Sequence, residues 1–371
     1  MDLCLQVKNE FLRVASVADD LDGILTLDML EEFLSIVDNE KYQFVGDETL
    51  AMTNTLTNDK SLWPVMITKK KRDEIVAAAL RAMKQAMFTG ENKVYMETWL
   101  QVRGFLDSLH RVYTVPKPWS TVRQESQIMK GDAFKASILT GILPRVKYST
   151  AGSSTGRLTI TKGPNFLVAP AKSRKALRAS NKESDVAIID FTSMEPRVAL
   201  MLLQHDIGDM DVYEYLMGVC NISSRPVAKL ATISALYGAS ERSLVETVKS
   251  KSKATSVVAN VKAFFDVPSL EGMLEEQARQ GMVRNFFGRP LHDATKTERV
   301  RVNHYIQSTA AELAVLLFAK LCEVVPSMKP QLVIHDALIA EIPKRDIEML
   351  KTELAALQFE NIKFPSTLAI V

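Results

Sequence analysis

The hydrophobic pattern of the chain contains two places where a short apolar run stops at an aspartate. The run VAII at 186–189 precedes Asp190, and two apolar runs within 331–342 flank His335 and Asp336. Short apolar runs rich in β-branched residues are typical of buried strands. Two carboxylates at the ends of adjacent strands could hold a pair of metal ions for phosphoryl transfer. These aspartates are therefore candidate catalytic residues.

Helical periodicity accounts for most of the remaining pattern. Between 198 and 326 the pattern is almost wholly helical, with breaks at Gly238, Pro268 and 288–290. Other predicted helices are 24–37, 73–88, 98–112 and 344–357. Residues 145–160 predict strand and turn, and the end of the chain predicts two strands, a helix and a closing strand. The predicted fold class is α+β and predominantly helical, with strands on either side of a long helical insertion.

The composition indicates a globular chain, since 47% of the 371 residues are hydrophobic and 24% are charged. No uninterrupted apolar stretch approaches about eighteen residues and the N-terminus is acidic, so we expect neither a membrane span nor secretion but a cytoplasmic protein. The three cysteines lie far apart and the five histidines form no cluster. A disulfide framework and a zinc site are therefore both unexpected.

The net charge of +2 conceals an uneven distribution. Residues 1–60 carry 4 Lys+Arg against 13 Asp+Glu, whereas residues 61–180 carry 21 against 7. A basic region of this size is typical of proteins that bind the phosphate backbone of nucleic acids. Solvated helices coated with lysine and arginine would give the same count.

One predicted helix carries two cations, an aliphatic side chain and a ring on a single face. Arg225, Lys229, Ile233 and Tyr237 recur every four residues, with serines before them, Pro226 in the first turn and Gly238 at the end. This face suits a nucleoside triphosphate, because cations can bind its phosphates and a flat apolar end can contact its base. An amphipathic surface helix with Tyr237 in the core has the same spacing.

In combination these stretches resemble the family A DNA polymerases, the DNA polymerase I group that includes many phage replicases. Residues 190–197, DFTSMEPR, are similar to motif A, the helix from Arg225 to Gly238 to motif B, and Ile334-His335-Asp336 to motif C. Three further segments resemble the family in the same order: Thr155–Leu158 followed by Pro164-Asn165, Asp211–Tyr213, and Arg299–Glu312. The likeness covers roughly 145–371.

The resemblance implies a right-hand polymerase with an antiparallel palm sheet, helical fingers and a helical thumb. The expected parts are an acidic segment and thumb in 1–115, palm in 116–200, fingers in 201–324 and palm again in 325–371. The expected reaction adds dNTPs to a primer 3′-hydroxyl on template DNA and releases pyrophosphate. The upstream region shows no exonuclease-like acidic motifs, so we expect no intrinsic exonuclease and a compact, phage-like enzyme.

The resemblance also implies roles for particular residues. Asp190 and Asp336 would be catalytic and coordinate two Mg²⁺ ions, with Mn²⁺ able to substitute. The expected dNTP-binding residues are Glu195, Arg225, Lys229, Ile233 and Tyr237. The expected primer–template contacts are Arg157, Arg299, Asn303, Gln307 and His335. Glu195 and Tyr237 would together exclude a 2′-hydroxyl; the alternative is that Glu195 only forms an ion pair with Arg197.

Two departures from the family pattern keep other functions open. Ala337 replaces a glutamate after the motif C aspartate, and Ile233 replaces an aromatic residue of motif B. A single-subunit RNA polymerase shares both aspartates, although Glu195 argues against it. A catalytically silent nucleic-acid-binding component of a replisome on the same fold is the other alternative. The acidity of 1–60 suits a docking surface for a separate exonuclease or another replisome subunit.

Overall fold

The structure is a computed structural model that describes residues 3–7, 10–14, 27–39, 42–46, 90–115, 141–163, 165–167, 177–238 and 242–371. The chain divides into two compact units. The first comprises 1–99 with 287–290, and the second comprises 100–286 with 291–371. The predicted helix 73–88, with the basic run before it, lies outside the described residues.

The first unit contains a three-stranded antiparallel sheet in a region for which the sequence predicted only the helix 24–37. Its strands are β1 (Leu3–Val7), β2 (Glu10–Val14) and, after helix α1 (Leu27–Asp38), β3 (Tyr42–Gly46), in the order β2-β1-β3. The strand sequences LCLQV, EFLRV and YQFVG are short and mostly apolar, and short apolar runs do not distinguish a strand from a segment of helix. Helix α1 confirms the helix predicted over 24–37, and α2 (Gly90–Ser108) begins earlier than the predicted 98–112.

Aromatic packing forms the described core of this unit. The fully buried ring of Phe33 on α1 stacks on Tyr95, with centroids 5.8 Å apart, and meets the edge of Trp99 at 5.1 Å. Such pairs stabilise a core beyond the area that they bury. They join α1 to the first part of α2.

The second unit contains the strands and helices that surround the candidate site. In chain order they are β4 (Val112–Tyr113), β5 (Ile142–Leu143), β6 (Lys147–Ser149), β7 (Thr159–Lys162), β8 (Ser184–Phe191), α3 (Met194–Leu202), α4 (Val212–Val219), α5 (Arg225–Tyr237), α6 (Arg242–Val248), α7 (Lys251–Phe264), α8 (Val267–Arg279), α9 (His292–Lys296), α10 (Arg301–Val324), β9 (Lys329–Ile334), β10 (Ala337–Pro343), α11 (Ile347–Ala355), β11 (Gln358–Phe359), β12 (Ile362–Lys363) and β13 (Ser366–Ile370). The helical insertion and the alternating C-terminal segment follow the predicted pattern.

A four-stranded antiparallel sheet, in the order β13-β8-β10-β9, is the centre of this unit. Strand β10 is buried along almost its whole length, which explains its mostly apolar sequence ALIAEIP, and its buried Glu341 accepts hydrogen bonds from Ser180. Helix α10 packs against α3, and the Phe191 ring at the end of β8 stacks on Phe318 of α10 with centroids 5.0 Å apart. Helices α3 and α10, which lie between β8 and β9 in the chain, thus pack against the sheet. A slip in the register of the strands would expose the apolar face of the sheet.

Helix α10 belongs to the core. Within the described part of the chain, one helical stretch, Glu298–Val324, is long and apolar enough to cross a membrane, but 67% of its apolar window is buried inside the fold. Side chains such as Leu313, Leu317 and Phe318 have at most 1% of their surface exposed. This burial is typical of the central helix of a globular unit.

The hydroxyl of Tyr148 ties the β6 strand to the edge of the central sheet. It donates to the carbonyl of Val333 at 2.8 Å and accepts from the Val333 N–H at 3.1 Å. Because β9 is an edge strand, these backbone groups would otherwise lie in the interior without a partner. Burial raises the pKa of Tyr148 above its usual range, so the hydroxyl remains protonated.

We expect Tyr148→Phe to lower the free energy of unfolding by about 1–3 kcal/mol, because it leaves both Val333 backbone groups unsatisfied. Urea denaturation measures this loss. Tyr305→Phe is the control, since its hydroxyl has no hydrogen-bond partner among the described residues. Equal stability of the two variants would show that the Tyr148 hydroxyl does not hold the sheet edge.

Candidate active site

Strand pairing places the two predicted catalytic carboxylates at the same edge of the central sheet. Asp190 is the penultimate residue of β8 and lies opposite Ala337, the first residue of β10. Asp336 occupies the two-residue turn between β9 and β10, and its carbonyl accepts the Phe191 N–H at 3.2 Å. His335 supplies the left-handed conformation of this turn, with φ 56°.

The immediate surroundings of Asp336 are negatively charged. Burial, with smaller contributions from the nearby carboxylates of Asp190 and Glu195, raises its pKa to about 6, while a backbone hydrogen bond and Arg157 oppose this rise. A cation between these carboxylates would relieve their repulsion. Within the described ranges no three His, Cys, Asp or Glu side chains converge, so the protein would offer two carboxylates. That set suits Mg²⁺, which keeps several waters and binds one or two carboxylates together with substrate phosphates.

A cleft of about 330 Å³ opens in front of Asp336. Small side chains of α10, namely Ala310, Ala311 and Ala314, form one wall. The polar groups that line it are Arg157, Glu195, Gln307, His335 and Asp336. The fold therefore brings together residues predicted separately for catalysis, sugar selection and primer–template contact.

Glu195 is the centre of a small polar network in this cleft. It accepts a 2.9 Å hydrogen bond from Arg157 and lies within hydrogen-bonding reach of the Tyr237 hydroxyl. Burial and the Glu195 charge both raise the pKa of Tyr237, which keeps that hydroxyl protonated. Glu195 and Tyr237 thus lie close together in the fold, and their joint exclusion of a 2′-hydroxyl stays a prediction. The contact between Glu195 and Arg157 was not predicted.

The alternative ion pair between Glu195 and Arg197 is wrong, because the two side chains lie on different faces of α3. Arg197 is only 1% exposed and donates to three backbone carbonyls: those of Gly208 at 2.9 Å, Met210 at 2.6 Å and Lys363 at 3.1 Å. Burial lowers its pKa, while three aspartates of the loop 206–211 favour its charge. Arg197 therefore fastens the loop that leads into α4.

Helix α5 presents the predicted four residues on one side. Arg225 and Lys229 are exposed, whereas Ile233 and Tyr237 are half-buried. Pro226 lies in the first turn and Gly238 ends the helix in the left-handed region with φ 60°, as predicted. Ser224 occupies the N-cap position, but its side chain makes no capping hydrogen bond to the described residues.

Arg225 is held by Asp211, a contact that the sequence did not reveal. Its Nε lies 3.2 Å from Asp211 Oδ1 and its Nη2 lies 2.7 Å from Oδ2. The guanidinium also lies over the Tyr213 ring, 5.1 Å from the centroid. The Asp211 carboxylate caps α4 as well, accepting the N–H groups of Tyr213 and Glu214 at 2.9 and 3.0 Å. One side chain thus joins the start of α4 to the start of α5.

The remaining predicted nucleic-acid contacts lie on and just before α10. Arg299 is exposed in the turn before the helix, and Asn303 is half-buried, with a buried Oδ1 that lacks a hydrogen-bond partner among the residues the structure describes. One turn beyond Asn303, Gln307 reaches the cleft. Of this group, only Gln307 lines the cleft beside Asp336.

A sequence model described as DNA polymerase family A matches residues 137–366. This match covers more than half of the chain and contains both carboxylates and the whole of α5. The chain belongs to DNA polymerase family A.

Individual relatives of this family A chain are distant. DNA polymerase I of Helicobacter pylori (strain J99 / ATCC 700824) is 28% identical over 239 residues, which cover 55% of this chain and 26% of that protein. DNA polymerase I of Bacillus subtilis (strain 168) is 26% identical over 242 residues, covering 55% and 27%. The chain thus spans about a quarter of the length of these relatives.

Among solved structures, the chain is similar to the POL domain of Pol1 from M. smegmatis, which was solved in complex with DNA primer-template and dNTP. The two are 15% identical, and the TM-score is 0.49 over 76% of this chain and 65% of that chain.

The Asp211 ion pair predicts a pH dependence of stability. Burial alone would raise the pKa of Asp211, but Arg225 and the two capping N–H groups lower it overall. A carboxyl whose pKa is lower in the folded state stabilises the fold above its unfolded pKa of about 3.9, and this contribution disappears as the pH falls through the folded value. The contribution is therefore fully present at neutral pH.

We expect the difference in unfolding free energy between the wild type and Asp211→Asn to be largest above about pH 5 and to shrink below about pH 4. Denaturant titrations over this range measure it, with Asp209→Asn as the control for an exposed loop carboxylate that instead contacts Lys363. A difference that does not change with pH would mean that the Asp211 charge contributes nothing to stability.

Proposed function

We propose that this family A chain is a template-directed DNA polymerase that adds dNTPs to a primer 3′-hydroxyl and releases pyrophosphate. The observation that carries the proposal is the placement of Asp190 and Asp336 at one edge of the sheet, near Glu195, where Asp336 and Glu195 line a cleft. Nucleotidyl transfer requires little covalent participation by the protein; it requires that the reactants be held in line and their charge stabilised.

The two aspartates would hold Mg²⁺. Bound there, Mg²⁺ would lower the pKa of the primer hydroxyl and stabilise the charge on the triphosphate. The two carboxylates would position the primer hydroxyl and the nucleotide at the end of the sheet. The pairing of β8 with β10 fixes the distance between the carboxylates. The side chain of Ala337 is only 2% exposed, which is consistent with a site served by two carboxylates rather than three.

Helix α5 would bind the nucleotide. Arg225 and Lys229, one turn apart and exposed, would contact the triphosphate, and Tyr237 at the far end would lie near the sugar and base. Ile233 between them would provide an apolar contact. Arg157 and Gln307 in the cleft and Arg299, Asn303 and His335 near it would contact the primer–template through groups that do not depend on base identity.

Glu195 favours deoxynucleotides in this proposal. Because Arg157 and Tyr237 hold its carboxylate, it can occupy one position beneath the sugar and leave no space for a 2′-hydroxyl. This network is the specific feature that favours a DNA polymerase over a single-subunit RNA polymerase. The intact carboxylate pair likewise argues against a silent binding protein.

Primer extension on a short labelled primer–template with Mg²⁺ tests the proposal directly. We expect the wild type to extend the primer with dNTPs and far more slowly with NTPs. Asp336→Asn should reduce extension by at least about a hundredfold, the scale of losing a group that stabilises transition-state charge. Its thermal stability should equal or exceed that of the wild type, because the substitution removes repulsion from Asp190 and Glu195.

Glu348→Gln makes the same charge change at an exposed position of α11 and should retain full activity. Preferential extension with NTPs would instead support the single-subunit RNA polymerase alternative. DNA binding without extension by either nucleotide set would instead support the silent binding protein.

A further inference from the structure

The position of Arg225 is determined by a carboxylate outside the motif B helix. Asp211 contacts the Nε and Nη2 edge of the guanidinium with both oxygens, at 3.2 and 2.7 Å. Two parallel contacts of this type fix the plane of the guanidinium as well as its location. The Tyr213 ring lies beneath the guanidinium, with its centroid 5.1 Å from Cζ, and restricts movement of the guanidinium toward the ring.

The contact leaves part of the guanidinium available. Of its five N–H donors, Asp211 accepts one from Nε and one from Nη2. Nη1 has no acceptor among the residues that the structure describes, and the side chain is 47% exposed. A phosphate oxygen could therefore bind Nη1 while the ion pair with Asp211 remains in place.

Asp211 is itself held firmly. Its carboxylate caps α4, and Arg197 fixes the preceding loop through the carbonyls of Gly208 and Met210. Tyr213 is 8% exposed, and its hydroxyl lies near Ser193, two residues before Glu195. The support of Arg225 is thus continuous with the backbone that presents the carboxylates of the site.

We propose that Asp211 is a positioning residue for nucleotide binding: it pre-orients Arg225 so that the free Nη1 edge meets the triphosphate of the incoming nucleotide. This inference rests on the proposed polymerase function. Without Asp211 an exposed arginine at the start of a helix would adopt many rotamers, and ordering it on binding would weaken affinity. Asp211 does not contact the reacting atoms.

Two other roles for Asp211 would produce different results. If Asp211 competed with the triphosphate for Arg225, its removal would strengthen nucleotide binding. If it only capped α4, asparagine would replace it fully, since asparagine is an equally good N-cap. Asp211→Asn therefore separates positioning from both alternatives, whereas Asp211→Ala removes the cap and the charge together.

The test is the dissociation constant of the matching dNTP for the complex of enzyme with a dideoxy-terminated primer–template, which binds nucleotide without turnover. We expect Asp211→Asn to raise this constant by roughly three- to tenfold, the range expected for ordering one long side chain. In primer extension the same variant should raise KM by a similar factor and leave kcat nearly unchanged.

Asp209→Asn, which removes a loop carboxylate that contacts Lys363 and not Arg225, is the matched control and should bind as the wild type does. The double variant Asp211→Asn/Arg225→Ala should bind no more weakly than Arg225→Ala alone, because Asp211 acts through Arg225.

The inference would be overturned if Asp211→Asn bound the dNTP as tightly as the wild type or more tightly. It would also be overturned if the losses of affinity were additive in the double variant. Each of these results would leave the polymerase function intact. Absence of primer extension by the wild type would instead overturn the proposed function, and this inference with it.

Discussion

The antiparallel pairing of β8 with β10 is the constraint on which the rest of the site depends. It sets Asp190 opposite Ala337, and the tight turn before Ala337 then fixes Asp336 beside the end of β8. Both strands are held by apolar side chains on buried faces, so a shift of one residue would reverse every side chain and separate the carboxylates. Core packing and chemistry are therefore specified by the same hydrogen-bonded register.

Two arginines connect this sheet edge to the helical part of the unit. Arg157 brings the segment before β7 to Glu195, at the start of α3. Arg197, two residues further along the same helix, is buried and fastens the loop before α4 through backbone carbonyls. Because Asp211 follows that loop and holds Arg225, the position of the motif B helix is tied to the motif A helix by a short series of direct contacts.

The sequence allowed the prediction of features that local patterns determine. Apolar runs ending in aspartates marked the two central strands, and the four-residue spacing together with Pro226 and Gly238 marked α5. The strands of the first unit were missed, since short, mostly apolar strands cannot be distinguished from fragments of helix by periodicity. The ion pair of Glu195 with Arg157 was also missed, because Arg157 is distant in sequence and only the fold brings it near.

Long-range polar contacts were the part that no pattern could supply. The bond between Tyr148 and Val333 joins residues 185 positions apart, and the Asp211–Arg225 pair joins two helices whose relative placement depends on the whole insertion. Periodicity reports which face of an element is buried. Periodicity carries no information on which distant side chain contacts that face.

The central claim, that Asp190 and Asp336 form one shared cation site, is tested most directly by Mn²⁺ binding. Electron paramagnetic resonance of free Mn²⁺ can be followed in the complex with a dideoxy-terminated primer–template and the matching dNTP. We predict that Asp190→Asn and Asp336→Asn each weaken the same tightly bound Mn²⁺, whereas Glu348→Gln binds it as the wild type does. Unchanged Mn²⁺ affinity and stoichiometry in both aspartate variants would contradict the account.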